Sequence, residues 1–599
     1  MKQRVADYIA DFLADNGITD VFTIVGGGAM HLNDAFGHHP KLHCTYNHHE
    51  QACAIAAEGY ARYSRNIAAV CVTSGPGAIN ALNGVVGAYQ DSIPMLVLSG
   101  QTKTSLTVRN SGLHLRTLGN QEFDIVSTLE NAVKYSEMIT DAEKIRYCME
   151  KALHIAQSGR PGPCWLDIPL DIQGKLIETD KLQGFPQAPE TEPSLDEAMT
   201  VITEKLAAAK RPVLYAGNGI RIAGAAEEFK RLVRTFKIPV VTCWDSIDLI
   251  DTDNPFYCGR AGTMGDRAGN FAVQNSDLLI CIGTRLNIYQ VGYDIKTWAR
   301  EAFTVVVDID GEELKKPTIR VDLPVCCDAG HFIKTLTAQN INMAEKQDWI
   351  KQCQQWKLCY PVVTAAQKQE HGLVNVYSFF DKVSRLLPEE AVSVVANGSA
   401  SVVGSASFYI KKNDRFMMNC GLSSMGYGLP AAIGVCTATK RKTVFCFEGD
   451  GSIMMNLQEL QTMVTNRLPI KLFIINNAGY HQIRQTQTNV FHNGLIGVGP
   501  ESKDLGFPNF CKLAEAFGIP YIKLDDNQRQ DEALQQVLSS DPFVMCEVFV
   551  TTTQKYEPKS STKRLEDGSL YSPPLEDLAP FLSREELKRN MYIPLIDEK

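Results

Sequence analysis

Two short polar segments in the last third of the chain carry the residue types of a phosphate and metal site. Glu448-Gly449-Asp450-Gly451-Ser452 follows the apolar run Thr443–Phe447 and precedes a helical pattern. Glycines at a strand-to-helix turn let the backbone approach phosphate oxygens, and the helix N-terminus that follows favours anions. Asp450 would then be a hard oxygen ligand for Mg2+, which takes a few protein oxygens together with phosphate. Alone, such a turn is equally an ordinary connection. It gains meaning from Asn476-Asn477, which ends the next apolar run, Leu472–Ile475. Strands of a parallel sheet end on one edge, so Asp450 and Asn477 are expected to reach one cation.

Other segments are suggestive only together. His49-Glu50-Gln51 follows Leu42–Tyr46 and opens a helix containing Ala52–Ala61. A carboxylate in a first helical turn ordinarily just complements the helix dipole. Ser74-Gly75-Pro76-Gly77-Ala78-Ile79-Asn80 and Ser99-Gly100-Gln101 each leave a buried run, Ala68–Thr73 and Met95–Ser99. Gly421-Leu422-Ser423-Ser424-Met425-Gly426 sets a methionine between glycines, elsewhere a gap-filler. Gly217-Asn218-Gly219 to Gly224 superficially fits a dinucleotide fingerprint, with its last glycine misplaced.

The elements that must position these residues read as repeated strand–helix units around parallel sheets. Buried strands are predicted at Trp165–Pro169 in a first block, and at Pro212–Ala216, Pro239–Cys243, Leu278–Gly283 and Thr304–Ile309 in a second. A third block has Val392–Ala396, Thr443–Glu448, Ile470–Asn476 and Phe543–Val550. Gly184–Pro193 reads as a linker and Ala344–Gly372 as a polar, helical connection. The last fifty residues, with Pro558, Pro573, Pro574 and Pro580, read as an irregular tail. With 599 residues, several domains are expected. A net charge of -9 argues against a nucleic-acid partner. Seventeen scattered cysteines, among them Cys53, Cys71, Cys243 and Cys281, fit reduced thiols in a cytoplasmic protein. Met1–Phe12 reads as an amphipathic helix, and no run is long enough to span a membrane.

With GDG followed by NN, the chain resembles the thiamine-diphosphate (ThDP) enzymes of the acetolactate synthase/pyruvate decarboxylase group over almost its whole length. Its tail resembles those of carboligases associated with surface-sugar modification. The resemblance implies an α/β fold of three parallel-sheet domains: pyrimidine-binding at 1–182, central at 195–343, diphosphate- and Mg2+-binding at 373–552, then a tail at 553–599. It implies that Asp450, Asn477 and the Gly479 carbonyl hold Mg2+, with Gly449, Gly451 and Ser452 at the diphosphate. Glu50 would hydrogen-bond the aminopyrimidine ring and favour its imino tautomer. Gly75, Asn80 and Gln101 would lie beside that ring, Met425 would wedge the cofactor into its bent form, and the Ser423 carbonyl would meet the 4′-amino group. Glu50 and Asp450 would come from different subunits of a dimer or tetramer. In the central domain Gly262, Thr263, Arg285 and Asp308 stand where acetolactate synthases carry FAD. Asn287 and Ile288 replace an aspartate pair after Arg285, so ADP or no occupant are the alternatives.

At the substrate end Gln121 and Lys134 match family elements. Asn120 replaces an aromatic residue and Gly26 a proline before Gly27 and Gly28, while Arg116 could face a substrate carboxylate. Gln482 and Thr486 follow the NN motif. Thr486 stands where acetolactate synthases have a tryptophan, which opens the acceptor side. The implied activity decarboxylates pyruvate, or a related 2-keto acid, and transfers the acyl-anion equivalent to a ketone or aldehyde, a keto-sugar among the candidates. Acetolactate synthase, a 2-keto acid decarboxylase and a catalytically silent regulatory paralogue are the alternatives.

Overall fold

The computed structural model describes residues 2–187, 191–341, 344–491, 493–564 and 570–596; residues 188–190 of the expected linker lie outside this set. Its architecture is three six-stranded sheets, every pairing in them parallel. The first runs His43–Tyr46, Asp20–Thr23, Ala69–Val72, Met95–Gln101, Pro163–Pro169, Tyr135–Met138. The third runs Arg415–Met417, Val392–Val395, Val444–Gly449, Ile470–Asn476, Val544–Phe549, Tyr521–Leu524. Numbered along the chain, both follow the order 2-1-3-4-6-5. The second runs Tyr257–Arg260, Val240–Thr242, Pro212–Ala216, Leu278–Ile282, Phe303–Asp308, Leu323–Cys326, which is 3-2-1-4-5-6. That order leaves a crevice beyond Ala216 and Ile282, where dinucleotide-binding sheets take their ligands. Most inner strands are largely apolar runs because helices cover both faces.

The helix expected over Met1–Phe12 instead spans Val5–Asp15. Lys2–Arg4 before it is a strand paired antiparallel with Leu176–Glu178, and Arg4 is held by Asp7 and Asp34. No helix among the described residues is long and apolar enough to cross a membrane. All seventeen cysteines are unpaired.

The first and third sheets share one apolar core. Helix Glu50–Ser64 lies directly on helix Gly428–Ala438. A Cβ at Gly434 would collide with the Ala56 carbonyl, and one at Gly59 with the Ala431 backbone. The buried Glu459 carboxylate ties the same two bodies, accepting from Asn47 Nδ2 and His48 N at 2.9 Å and from Thr462 Oγ1 at 2.7 Å.

The segment after the third sheet is mostly irregular, yet docked. Leu575, Leu578 and Leu587 enter the core on one face of the central sheet, beside Trp298, Trp349 and Trp356. Glu576, fully buried, pairs with Arg300 and accepts from Gln274. Helix Gln347–Cys359, in the expected connection, packs on that same face, with Trp349 Nε1 donating to the Pro212 carbonyl.

Candidate active site

Asp450 and Asn477 leave adjacent parallel strands at one edge of the third sheet. The Asp450 carboxylate is buried, accepting from Gly451 N at 2.9 Å and Gly479 N at 2.7 Å. Burial pushes its carboxyl up to about 7, against the two backbone donors and the Arg484 charge, which favour the ionised form. Asn477 Nδ2 donates to Ser399 Oγ at 2.8 Å, while its Oδ1 is buried without any donor. Among the described residues the Gly479 carbonyl accepts only from His481 N, at 3.0 Å. A donorless buried amide oxygen, a buried carboxylate with one donor on each oxygen, and a carbonyl with a free lone pair fit a hard divalent cation. Gly479 has φ +119°, and a Cβ there would collide with the Val498 carbonyl. Gly451 leaves room for the Tyr480 ring.

Ser452 joins this turn to the methionine segment. Its Oγ accepts from Gly426 N at 2.9 Å, and Asn456 Nδ2 donates to the Gly426 carbonyl at 2.8 Å. Met425, half-buried, precedes this doubly held glycine. The Ser423 carbonyl already accepts from Asn397 Nδ2, leaving one lone pair for a second donor. Ser423 holds φ +52°, backbone strain concentrated beside the site.

A second group gathers at the edge of the first sheet. Asn80 Nδ2 donates to Glu50 Oε2 at 3.0 Å, and a Cβ on Gly77 would lie 3.4 Å from Glu50 Oε1. Gly75, at φ +59°, abuts the Gln121 carbonyl. Gly28 N donates to Thr73 Oγ1 at 3.0 Å, which brings Gly27 and Gly28 against the same turn. Gln101 is engaged inward: its Nε2 donates to Phe123 O and Asp167 Oδ2, so its side chain seats the loop carrying Gln121. Arg116 is exposed. Lys134 lies away from this edge, its ammonium on the Ile155 and Ser158 carbonyls at a helix end. Among the described residues no hydrogen bond links the Glu50 group directly to the Asp450 group.

The crevice of the central sheet opens into a cavity of about 1370 Å³. Thr263, Arg285 and Asp308 line it, as do Trp244 and Tyr289, stacked at 5.9 Å. Gly262 N and O are both held by the Asn270 side chain. Gly217 and Gly219 serve close packing, since a Cβ on either would collide with Gly283. The cavity continues to Ser423, Gln482 and Thr486. Thr486 Oγ1 donates to the Gln482 carbonyl at 3.0 Å, so only its lone pairs face outward.

Asn397, Ser399, Arg484 and Tyr556 were missed by the sequence reading. Asn397 and Ser399 follow strand Val392–Val395, and the strand-end rule that selected Asp450 and Asn477 would also have selected them. Tyr556 sits in a segment read as tail and carries no local signal.

Three family models match the chain: the thiamine pyrophosphate enzyme N-terminal TPP binding domain over residues 3–127, the central domain over 199–336 and the C-terminal TPP binding domain over 396–548. The acetolactate synthase large subunit of Lactococcus lactis is 30% identical over 560 residues, covering 91% of this chain and 92% of that protein. Acetolactate synthase isozyme 2 large subunit of Escherichia coli is 31% identical over 546 residues, with 90% and 94% covered. A probable acetolactate synthase large subunit of Methanocaldococcus jannaschii is 32% identical over 562 residues, with 90% and 91% covered.

Proposed function

Because the chain belongs to the thiamine-diphosphate enzyme family and is a ThDP-dependent carboligase of the acetolactate synthase kind, we propose that it decarboxylates pyruvate and delivers the two-carbon acyl unit to a polyhydroxylated keto compound, a keto-sugar. The observation that carries a working site is the pairing of buried Asp450 with the donorless Oδ1 of Asn477. In this reading Asp450, Asn477 and the Gly479 carbonyl hold Mg2+ against the diphosphate. When bound, the cofactor supplies the electron sink for breaking and making the carbon–carbon bond. The protein supplies position and protons. Glu50, oriented by Asn80, holds a proton at the pyrimidine nitrogen, and Met425, beside the glycine that Ser452 holds, supports the bent cofactor.

The acceptor assignment is supported by Thr486 and Gln482, exposed on the cavity wall, with Thr486 small where the family resemblance places an indole. FAD in the central domain is supported by its strand order and by the cavity at its crevice, and a purified protein that releases no flavin on denaturation would refute it. Self-association to a dimer or tetramer is supported by the lack, among the described residues, of any direct hydrogen bond between the Glu50 and Asp450 groups. Exposed Tyr46, Ile79 and Phe123 on one edge and Met454 and Met455 on the other agree with it. Unpaired cysteines support a reducing, cytoplasmic setting. Labelled pyruvate offered with competing ketones, CO2 release measured alongside, tests the function. A strict preference for a second pyruvate would make the protein an acetolactate synthase; CO2 release without ligation, a decarboxylase; no CO2 release, a regulatory paralogue.

A further inference from the structure

We propose that Tyr556 is a positioning residue for the Asn477 metal ligand, acting through the Ser399 hydroxyl. The proposal rests on reading Asp450 and Asn477 as Mg2+ ligands. Tyr556 Oη lies 2.6 Å from Ser399 Oγ, which accepts from Asn477 Nδ2 at 2.8 Å. All three side chains are buried, so bulk water does not substitute for either contact.

A serine hydroxyl carries one proton and two acceptor lone pairs. Either hydroxyl can donate in the Ser399–Tyr556 contact; when Ser399 gives its proton to Tyr556 Oη, it shows Asn477 only lone pairs. The carboxamide must then turn its nitrogen to Ser399 and its oxygen away, which is how Oδ1 comes to be buried without a donor. Without the tyrosine hydroxyl, the Ser399 proton is free to swing onto Asn477 and donate to the amide oxygen. The flipped amide would aim an NH2 group at the cation, turning a ligand into a repulsive dipole.

The rest of the arrangement leaves that one rotation open. Arg484 clamps the backbone, Nη1 donating to Asn477 O at 3.0 Å and Nη2 to Ala478 O at 2.7 Å. Tyr556 is itself held from both sides. Its ring meets His481 edge-on at 5.3 Å, Gln485 Nε2 donates to the Gln554 carbonyl at 2.7 Å, and Glu557 N donates to Tyr377 Oη at 2.9 Å.

The test is a Mg2+ titration of the full chain at fixed ThDP, followed by quenching of intrinsic fluorescence, with kcat at saturating Mg2+ measured separately. Ser399→Ala and Tyr556→Phe should each raise the half-saturating Mg2+ concentration about 10-fold, the lower end for groups that orient a metal ligand. At saturating Mg2+ both should recover most of their kcat, a split that general disruption of the fold would not produce. The double variant should lose no more than Ser399→Ala alone, because both act through one hydroxyl. Wild-type Mg2+ dependence in Tyr556→Phe, or losses that multiply in the double variant, would overturn the proposal. A wild-type protein that binds ThDP without Mg2+ would instead overturn the metal assignment beneath it.

Discussion

Asp91→Asn asks whether the first sheet of a chain holds the methionine turn of the third sheet in the same chain. Asp91 ends the helix Pro76–Gln90, and its Oδ1 accepts from Gly421 N at 2.8 Å. Its Oδ2 takes Cys420 N at 2.9 Å and Asn419 Nδ2 at 3.1 Å, and pairs with Arg62 at 2.7 Å. Both charged side chains are 4% exposed. Asparagine keeps one acceptor oxygen. Turned toward the three donors, it sets an NH2 group against Gly421 N–H, and a buried unsatisfied donor costs about 1–3 kcal/mol. Arg62 also loses one of its two carboxylates, and breaking a buried pair from one side costs about 3–5 kcal/mol. The penalties overlap, since both are readings of one lost charge, so the unfolding free energy should fall by about 3–5 kcal/mol in total. Urea titration of the cofactor-free protein measures it. ThDP half-saturation should rise in parallel, because the segment released is the one that leads into Ser423 and Met425. A loss below about 1 kcal/mol, the scale of a surface substitution, would refute the reasoning.

Asp450→Ala should abolish retention of ThDP through dialysis, and full occupancy in that variant would remove Asp450 from the metal site. Glu50→Gln should bind the cofactor yet slow C2 hydrogen–deuterium exchange by about 10²- to 10⁴-fold, the usual worth of an acid–base partner; exchange at the wild-type rate would contradict the role. Thr486→Trp should lower kcat/KM for large hydroxylated ketones while sparing acetolactate formation; an equal loss of both would take Thr486 out of acceptor selection. Asp167, fully buried between Ser99 and Gln101, has its carboxyl pushed up to about 7 by burial. The folded state therefore keeps a proton that the unfolded chain releases. Stability from this group is full below about pH 4 and is lost as pH rises through about 7, at most about 4 kcal/mol. Urea midpoints of the cofactor-free protein should fall over that window, and fall less in Asp167→Asn.

Reading strands from buried apolar runs works where both faces are covered, as at Ile470–Asn476 and Pro212–Ala216, whose observed bounds are those expected. It misses Asp20–Thr23, Tyr135–Met138, Tyr257–Arg260, Leu323–Cys326, Arg415–Met417 and Tyr521–Leu524. All but the first lie at a sheet edge; in three of them Glu137, Pro324 or Lys523 interrupts the run, while Tyr257–Arg260 is buried and is broken by Gly259 and Arg260. The candidate site was legible where local spacing carries the chemistry, as in Asp450-Gly451 and Asn476-Asn477. It was illegible where the third dimension does so. Nothing near Gln101 announces that its carboxamide turns inward to Asp167, and nothing near Tyr556 announces Ser399, over 150 residues earlier. Lys134 shows the converse: the family resemblance placed it at the substrate end, while its ammonium sits on the carbonyls at a helix end.

The docking of Leu575, Leu578 and Leu587 has a consequence for how the protein is made. A ribosome finishes the central sheet long before it reaches these residues, and the whole third sheet is synthesised in between. During that interval one face of the central body has only part of its cover, from helix Gln347–Cys359, and nascent apolar surface of this kind is what chaperones hold and aggregates form from. Elongation speed through the third sheet thus sets how long the nascent chain stays vulnerable. A premature stop before Leu575 would leave every expected cofactor ligand translated and still produce a protein with an open central core.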